Sequence, residues 1–120
     1  MNKISDSELE VMKILWEKGM VTSPQIIEAL KQKTKWEKTT IKTLISRLVS
    51  KGVIEQVKKE GQLYTYKALI TEKEYKKAES ENFITKLYKG SVNNMLLNFI
   101  EEKQISKDDL KKLLELIERE

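Results

Sequence analysis

Between Trp36 and Ile54 the chain reads WEKTTIKTLISRLVSKGVI, and its polar residues recur at spacings that gather them on one side. At about 100° per residue, Thr39, Thr43, Ser46, Arg47 and Ser50 fall within one arc of a helix. Ile41, Leu44, Ile45 and Leu48 take the opposite arc, spaced i, i+3, i+4 and i+7, and are expected to face a core. Short hydroxyl side chains let a backbone come close to another surface. A major groove about 12 Å wide admits a helix, and threonine can offer an oxygen to a base edge or a methyl to thymine. Lys38, Thr39, Thr40 and Thr43 lie toward the start of the segment, the part that inserts deepest when a helix-turn-helix docks. Lys42 and Arg47 flank the arc, where long cationic side chains reach phosphates and fix register. An ordinary exposed helix face favours Glu, Lys and Ala over a Thr and Ser cluster of lower helix propensity. The pattern therefore points to duplex DNA as the surface approached, with Ser46 inside the same arc.

Charge placement agrees. The net charge of +4 is modest, but residues 1–70 hold 13 Lys or Arg against 8 Asp or Glu, while residues 71–120 hold 10 against 11. Within residues 31–51, seven cations (Lys31, Lys33, Lys35, Lys38, Lys42, Arg47 and Lys51) stand against Glu37 alone. Such a local field suits a phosphate backbone, although a solvated lysine-rich face has the same composition.

The elements that must position this helix are legible around it. SDSELEVMKILWEKG opens with a Ser5 to Glu8 capping box, repeats apolar residues at Leu9, Met12, Leu15 and Trp16, and closes at Gly19. TSPQIIEALKQK reads as a second helix with Ser23 as N-cap and Pro24 at the first helical position, and with Ile26, Ile27 and Leu30 on one side. After the third helix ends at Lys51-Gly52, the β-prone runs VIEQVKK and QLYTYKAL flank the turn KEGQ. They predict a hairpin with Lys58 and Lys59 at its tip and Tyr64 and Tyr66 on its second strand. Three helices and a hairpin in this order make a winged helix-turn-helix over residues 1–70. Lys58, Lys59 and Tyr64 are the wing residues expected at DNA.

Residues 71–120 read as three short amphipathic helices. Phe83, Ile84, Leu87 and Tyr88 share one side of the first, Met95, Leu96, Phe99 and Ile100 mark the second, and the third starts at a capped Ser106 and aligns Leu110, Leu113, Leu114 and Ile117. So little chain cannot enclose these apolar sides well by itself. A second copy is the expected cover, with Phe83, Leu87, Met95, Leu96, Leu113 and Ile117 between the chains, unless the helices fold back on the winged domain. The expected fold is thus mainly α with a small β-hairpin: a winged helix-turn-helix followed by a helical dimerisation domain.

Other function classes are weaker. With neither His nor Cys, and no Gly-rich phosphate loop or G-x-S-x-G elbow, the sequence offers little for catalysis, and no metal site or cofactor is expected. No apolar run nears the roughly 20 residues that span a bilayer and the N-terminus lacks a secretory hydrophobic stretch, so a cytoplasmic location is expected. A winged domain can also serve as an RNA or protein adaptor, with Tyr64 and Tyr66 stacking on bases.

SDSELEVMKILWEKG, WEKTTIKTLISRLVSKGVI, LYTYKALI and FITKLYKGSVNNMLLNFIEE together resemble the penicillinase repressor family (BlaI/MecI) across nearly the whole chain. The shared features include the Trp-x-x-x-Thr-Ile-x-Thr-Leu-Ile-x-Arg-Leu core from Trp36 to Leu48 and the LLNF stretch in the C-terminal half. The resemblance implies a homodimeric repressor of resistance genes on inverted repeats with a TACA/TGTA core. It also implies relief of repression when a membrane sensor carrying a zinc protease domain detects a β-lactam and the repressor is cut between Asn98 and Phe99. Where the family commonly has Ser-Pro-Lys-Thr before the isoleucine, this chain has Glu37, Lys38, Thr39 and Thr40, which puts half-site preference in question. Copper-sensing relatives carry C-terminal cysteines, and this chain has none. Control of another stress response remains the alternative.

Overall fold

The computed structural model describes residues 3–58 and 63–118 of the chain. Its elements follow the order α1 (Asp6–Lys18), β1 (Val21–Thr22), α2 (Ser23–Lys33), α3 (Lys38–Ser50), β2 (Ile54–Val57), β3 (Thr65–Ala68), α4 (Glu72–Tyr88), α5 (Val92–Glu101) and α6 (Lys107–Glu118). The chain divides into two compact units, Met1–Tyr75 and Lys76–Glu120. The fold class is the expected one: mainly helical, with a winged helix-turn-helix in the first unit.

Local chemistry explains the helix boundaries. The Ser5 hydroxyl accepts from the Glu8 N–H at 3.2 Å and the Glu8 carboxylate accepts from the Ser5 N–H at 2.8 Å, the reciprocal pair expected at the start of α1. Gly19 ends that helix at φ +80°, a conformation that a Cβ disfavours. The start of α2 differs from the expectation. Ser23 is already helical, and Thr22 is the cap, held in extended backbone at φ −84° and ψ 162°. Its hydroxyl accepts from the Gln25 N–H at 3.4 Å, and the Gln25 side chain accepts from the Thr22 N–H at 2.8 Å. Pro24 moves to the second helical position, where a missing N–H is still harmless because first-turn N–H groups have no partner within the helix.

The expected hairpin forms, with Glu55 opposite Lys67 and Val57 opposite Thr65. A third strand joins it: Val21 and Thr22 pair antiparallel with Tyr66 and Thr65, giving the order β1-β3-β2. Two residues are too few for alternation to be read from sequence. The hairpin turn itself lies outside the described residues.

A single apolar cluster holds the first unit together. Val11, Met12 and Leu15 of α1 meet Ile26, Ile27 and Leu30 of α2, and Ile41, Leu44, Ile45 and Leu48 of α3 complete it with Val53 and Ile54. All four inward residues expected of α3 are buried, so its polar arc necessarily faces out. Trp16 closes one end: its indole N–H donates to the Ile70 carbonyl at 2.9 Å, and its ring lies 5.5 Å from that of Tyr75.

In the second unit, Ser91 and Ser106 cap α5 and α6, each hydroxyl accepting an N–H at 3.1 Å, from Asn94 and Asp109 respectively. The turn before α5 uses Lys89 and Gly90, at φ +52° and +81°. Phe83 and Tyr88 of α4 and Phe99 of α5 form a ring cluster with centroids 5.8 to 6.5 Å apart. Neither α4 nor α5 contains a buried residue.

Candidate nucleic-acid interface

The interface is built on α3, whose apolar side is locked into the core. Its residues Lys38, Thr39, Thr40, Lys42, Thr43, Ser46, Arg47 and Ser50 are all exposed, and Val49 is half-buried. The sequence-expected contact residues of this helix therefore share one open face. Glu37 stands at the N-cap but makes no side-chain capping bond, so no side chain from that position occupies the first-turn N–H groups.

Hydrogen bonding narrows what Thr43 can offer. Its hydroxyl donates to the Thr39 carbonyl one turn back at 2.9 Å. The proton is thus spent within the helix, a common resort of mid-helix threonines. What Thr43 presents outward is acceptor lone pairs and a methyl group. That suits a base amino group or a thymine methyl, and disfavours donation to a base acceptor.

Two depressions border the face. One, of about 730 Å³, is lined by Pro24, Ile27 and Lys31 of α2, Lys38 and Lys42 of α3, and Leu63 ahead of β3. The other, of about 390 Å³, runs between α3 and the sheet, along Lys42, Ser46, Ser50, Gln56 and Tyr66. Lys42 stands on the ridge between them and borders both. Partial burial, with the nearby Tyr64 phenol as a smaller contributor, pushes the Tyr66 phenol above its ordinary pKa.

On the wing, Lys58 and Tyr64 are exposed, as a contacting wing requires; Lys59 lies outside the described residues. Sequence reasoning missed Leu63, which is 61% exposed beside the larger depression. An apolar residue out of step with the strand alternation was the available signal. It also counted Lys51 in the positive charge of residues 31–51, and that ammonium turns back to Glu8 and to the Lys3 carbonyl.

Of the other expected sites, Asn98 is exposed on α5 and its side-chain amide donates to the Tyr88 hydroxyl at 3.2 Å, while Phe99 is half-buried in the ring cluster. Phe83 and Leu87 are exposed, and Met95 and Leu96 are half-buried. The side chains of Leu113 and Ile117 lie outside the described ones.

A family model described as "Penicillinase repressor" matches residues 4–119. The chain belongs to the penicillinase repressor family. The methicillin resistance regulatory protein MecI of Mammaliicoccus sciuri is 38% identical over 117 residues, covering 98% of this chain and 94% of the relative. The penicillinase repressor of Bacillus licheniformis is 35% identical over 116 residues, covering 97% and 90%. The solution structure of monomeric Bacillus licheniformis BlaI in complex with the blaP half-operator is 36% identical, with a TM-score of 0.55 over 62% of this chain and 89% of that one. Members of the family are DNA-binding transcriptional repressors, and this chain is accordingly a repressor and not an enzyme. Among the described residues, no helix is long and apolar enough to cross a membrane.

Proposed function

We propose that the protein is a homodimeric repressor of β-lactam resistance genes that places α3 of each copy in the major groove of an inverted-repeat operator with a TACA/TGTA-like core. The observation that carries this reading is the α3 face: a run of exposed Thr, Ser and cationic residues on a helix whose other side is locked in a core. The half-operator complex of the 36%-identical BlaI, a monomeric form, supports the operator-binding part of it. In this reading Lys38, Thr39, Thr40, Thr43 and Ser46 lie toward bases, Lys42 and Arg47 reach phosphates, and Lys58, Lys59 and Tyr64 bring the wing to the flanking backbone. Two copies joined through the C-terminal helices hold two such faces about one DNA turn apart.

A gel shift comparing an inverted-repeat duplex with a shuffled duplex and with RNA tests the class. Preference for the inverted repeat is expected; equal binding to RNA overturns it. Arg47→Ala and Lys42→Ala should each weaken binding to every sequence alike and lower the salt slope by about 0.9. Thr43→Ala should alter base preference, by about 1 to 3 kcal/mol for one good contact. Thr43→Val keeps the outward methyl and removes the acceptor, so it separates thymine contact from a bond to a base amino group.

Relief of repression is read as cleavage between Asn98 and Phe99 by a membrane sensor protease that responds to a β-lactam. The bond lies within α5, where a protease cannot take it as an extended strand until the segment opens. Cutting there separates Phe99 and α6 from Met95 and Leu96, and two linked half-site contacts become independent ones, with loss of their effective concentration. Mass spectrometry of the repressor from β-lactam-treated cells, with Asn98→Ala and Phe99→Ala alongside, tests this. An intact chain during full derepression rules it out.

A further inference from the structure

Lys51 caps the C-terminal end of α3, and its side chain points away from the face that the preceding cations share. Its ammonium donates to Glu8 Oε1 at 2.5 Å and to the Lys3 carbonyl at 2.8 Å. One acceptor is in the first turn of α1 and the other lies just before that helix. The Glu8 side chain is only 1% exposed, and its second oxygen is buried with no hydrogen-bond partner among the described residues. A buried carboxylate needs a compensating charge, and Lys51 supplies it from 43 positions away in sequence.

The backbone around Lys51 leaves little slack. Its N–H donates to the Arg47 carbonyl at 2.9 Å, and Gly52 then turns the chain at φ +76°, its own N–H bonded to the Val49 carbonyl at 3.0 Å. The inner side of α3 is otherwise held by apolar residues, buried Ile41, Leu44, Ile45 and Leu48 with half-buried Val49 beside them. Apolar burial is non-directional: it decides which side faces inward more firmly than it decides tilt or axial position. A charged hydrogen bond is restricted in length and angle. Thr39 lies 12 residues from Lys51, about 18 Å along the axis, so a tilt of about 5° about the Lys51 end displaces Thr39 by about 1.5 Å. A displacement of that size is enough to misplace a side chain against a base edge.

We infer that Lys51 is a positioning residue for sequence-specific recognition: gripped by Glu8 and the Lys3 carbonyl, it sets the pose of α3 in the groove and makes no phosphate contact of its own. The inference rests on the reading of α3 as the recognition helix. It deepens that reading by giving a task in recognition to a cation that is not among the proposed DNA contacts.

The test uses the full-length protein, an inverted-repeat duplex and a shuffled duplex of equal length, each titrated over a range of salt. Lys51→Met should reduce the preference for the inverted repeat about tenfold, leave affinity for the shuffled duplex nearly unchanged, and leave the salt slope unchanged. Glu8→Gln retains an oxygen for the Ser5 N–H and so preserves the α1 cap; it should lose preference in the same way without lowering the slope. It guards against misfolding of the first variant. If the slope of Lys51→Met falls by about 0.9 and both duplexes lose affinity alike, Lys51 touches phosphate and the inference is wrong. If both variants melt earlier yet keep full preference, the clamp serves stability alone, and the inference is equally wrong. A wild-type protein that does not distinguish the two duplexes rejects α3 as the reading helix, a different failure.

Discussion

In the first unit Val11, Met12, Ile26, Leu30, Ile41 and Leu48 are fully enclosed, whereas α4 and α5 enclose none of their residues and leave Phe83, Leu87, Val92, Leu97 and Ile100 between 40% and 59% exposed. The N-terminal part encloses a core and shows a polar and cationic α3 face to solvent, although Met20, Leu63, Tyr64 and Leu69 are exposed there too. The C-terminal helices instead display apolar surface. Large exposed apolar patches mark association sites. One part encloses a core behind its α3 face; the other is the surface proposed to lie between copies.

The contrast is broken most directly by truncating one leucine in each region. Leu48→Ala removes atoms from a site with 0% exposure and should cost about 2 to 5 kcal/mol in urea unfolding. Leu87→Ala, at 59% exposure, should change the stability of a single chain by no more than about 0.5 kcal/mol. Comparable losses at both sites, measured where the protein is monomeric, contradict the contrast.

Association sharpens it next. Leu87→Asp places a charge on the surface proposed to lie between copies, and should weaken dimerisation about 100-fold, or roughly 2.7 kcal/mol. Operator affinity should fall in step while the melting of the first unit stays put. Sedimentation at micromolar concentration decides: a wild-type monomer, or an unaffected variant dimer, removes the C-terminal helices from the interface.

The same contrast explains what could be read from sequence. Ile41, Leu44, Ile45 and Leu48 announced the α3 core side because a helix period repeated over two turns is hard to produce otherwise, and its polar arc followed by geometry. Boundaries were less legible. Thr22 and Ser23 are adjacent hydroxyl residues, either able to cap, and only the extended backbone of Thr22 separates them. Glu8 was recognisable as half of a capping box but not as a buried charge, because its partner Lys51 reaches it through tertiary packing, which no local pattern encodes. For the same reason Lys51 entered the charge count of residues 31–51 with no partner assigned to it. Leu87 and Phe83 were legible as one helix side, but periodicity cannot say whether such a side meets the same chain or another.

Acid exposes the difference between the units through Glu8. Burial by itself raises its pKa, but the Lys51 ammonium together with the Ser5 N–H and hydroxyl outweighs burial and holds the carboxyl below the ordinary carboxylate value. A group with a depressed folded-state pKa contributes stability that is present above its unfolded pKa, near 4.3, and is lost as pH falls through the folded value. Unfolding of the first unit should therefore steepen below about pH 4. Glu8→Gln should start less stable at pH 7 and show a flatter acid limb. An identical acid limb in the variant assigns the effect to other carboxylates.

The smallest expected effects come from the caps, where the same chemistry should register in different observables. Thr22 shares its capping box with Gln25 in the first unit, while Ser91 caps α5 with one bond from the Asn94 N–H. Replacing either hydroxyl residue by alanine strips an acceptor from a helix start, typically worth about 1 kcal/mol. For Thr22→Ala the loss should appear in unfolding of the first unit and be independent of protein concentration, because α2 is held by its own chain through Ile26, Ile27 and Leu30. For Ser91→Ala it should appear chiefly in the dimer equilibrium, as a roughly fivefold shift in Kd, because α5 has no buried residue to be anchored by and is stabilised by what covers it. Measuring both variants at two concentrations a hundredfold apart separates the cases. A concentration-independent loss for Ser91→Ala means that α5 folds without a partner, and that its exposed Val92, Leu97 and Ile100 are covered by nothing that the dimer supplies.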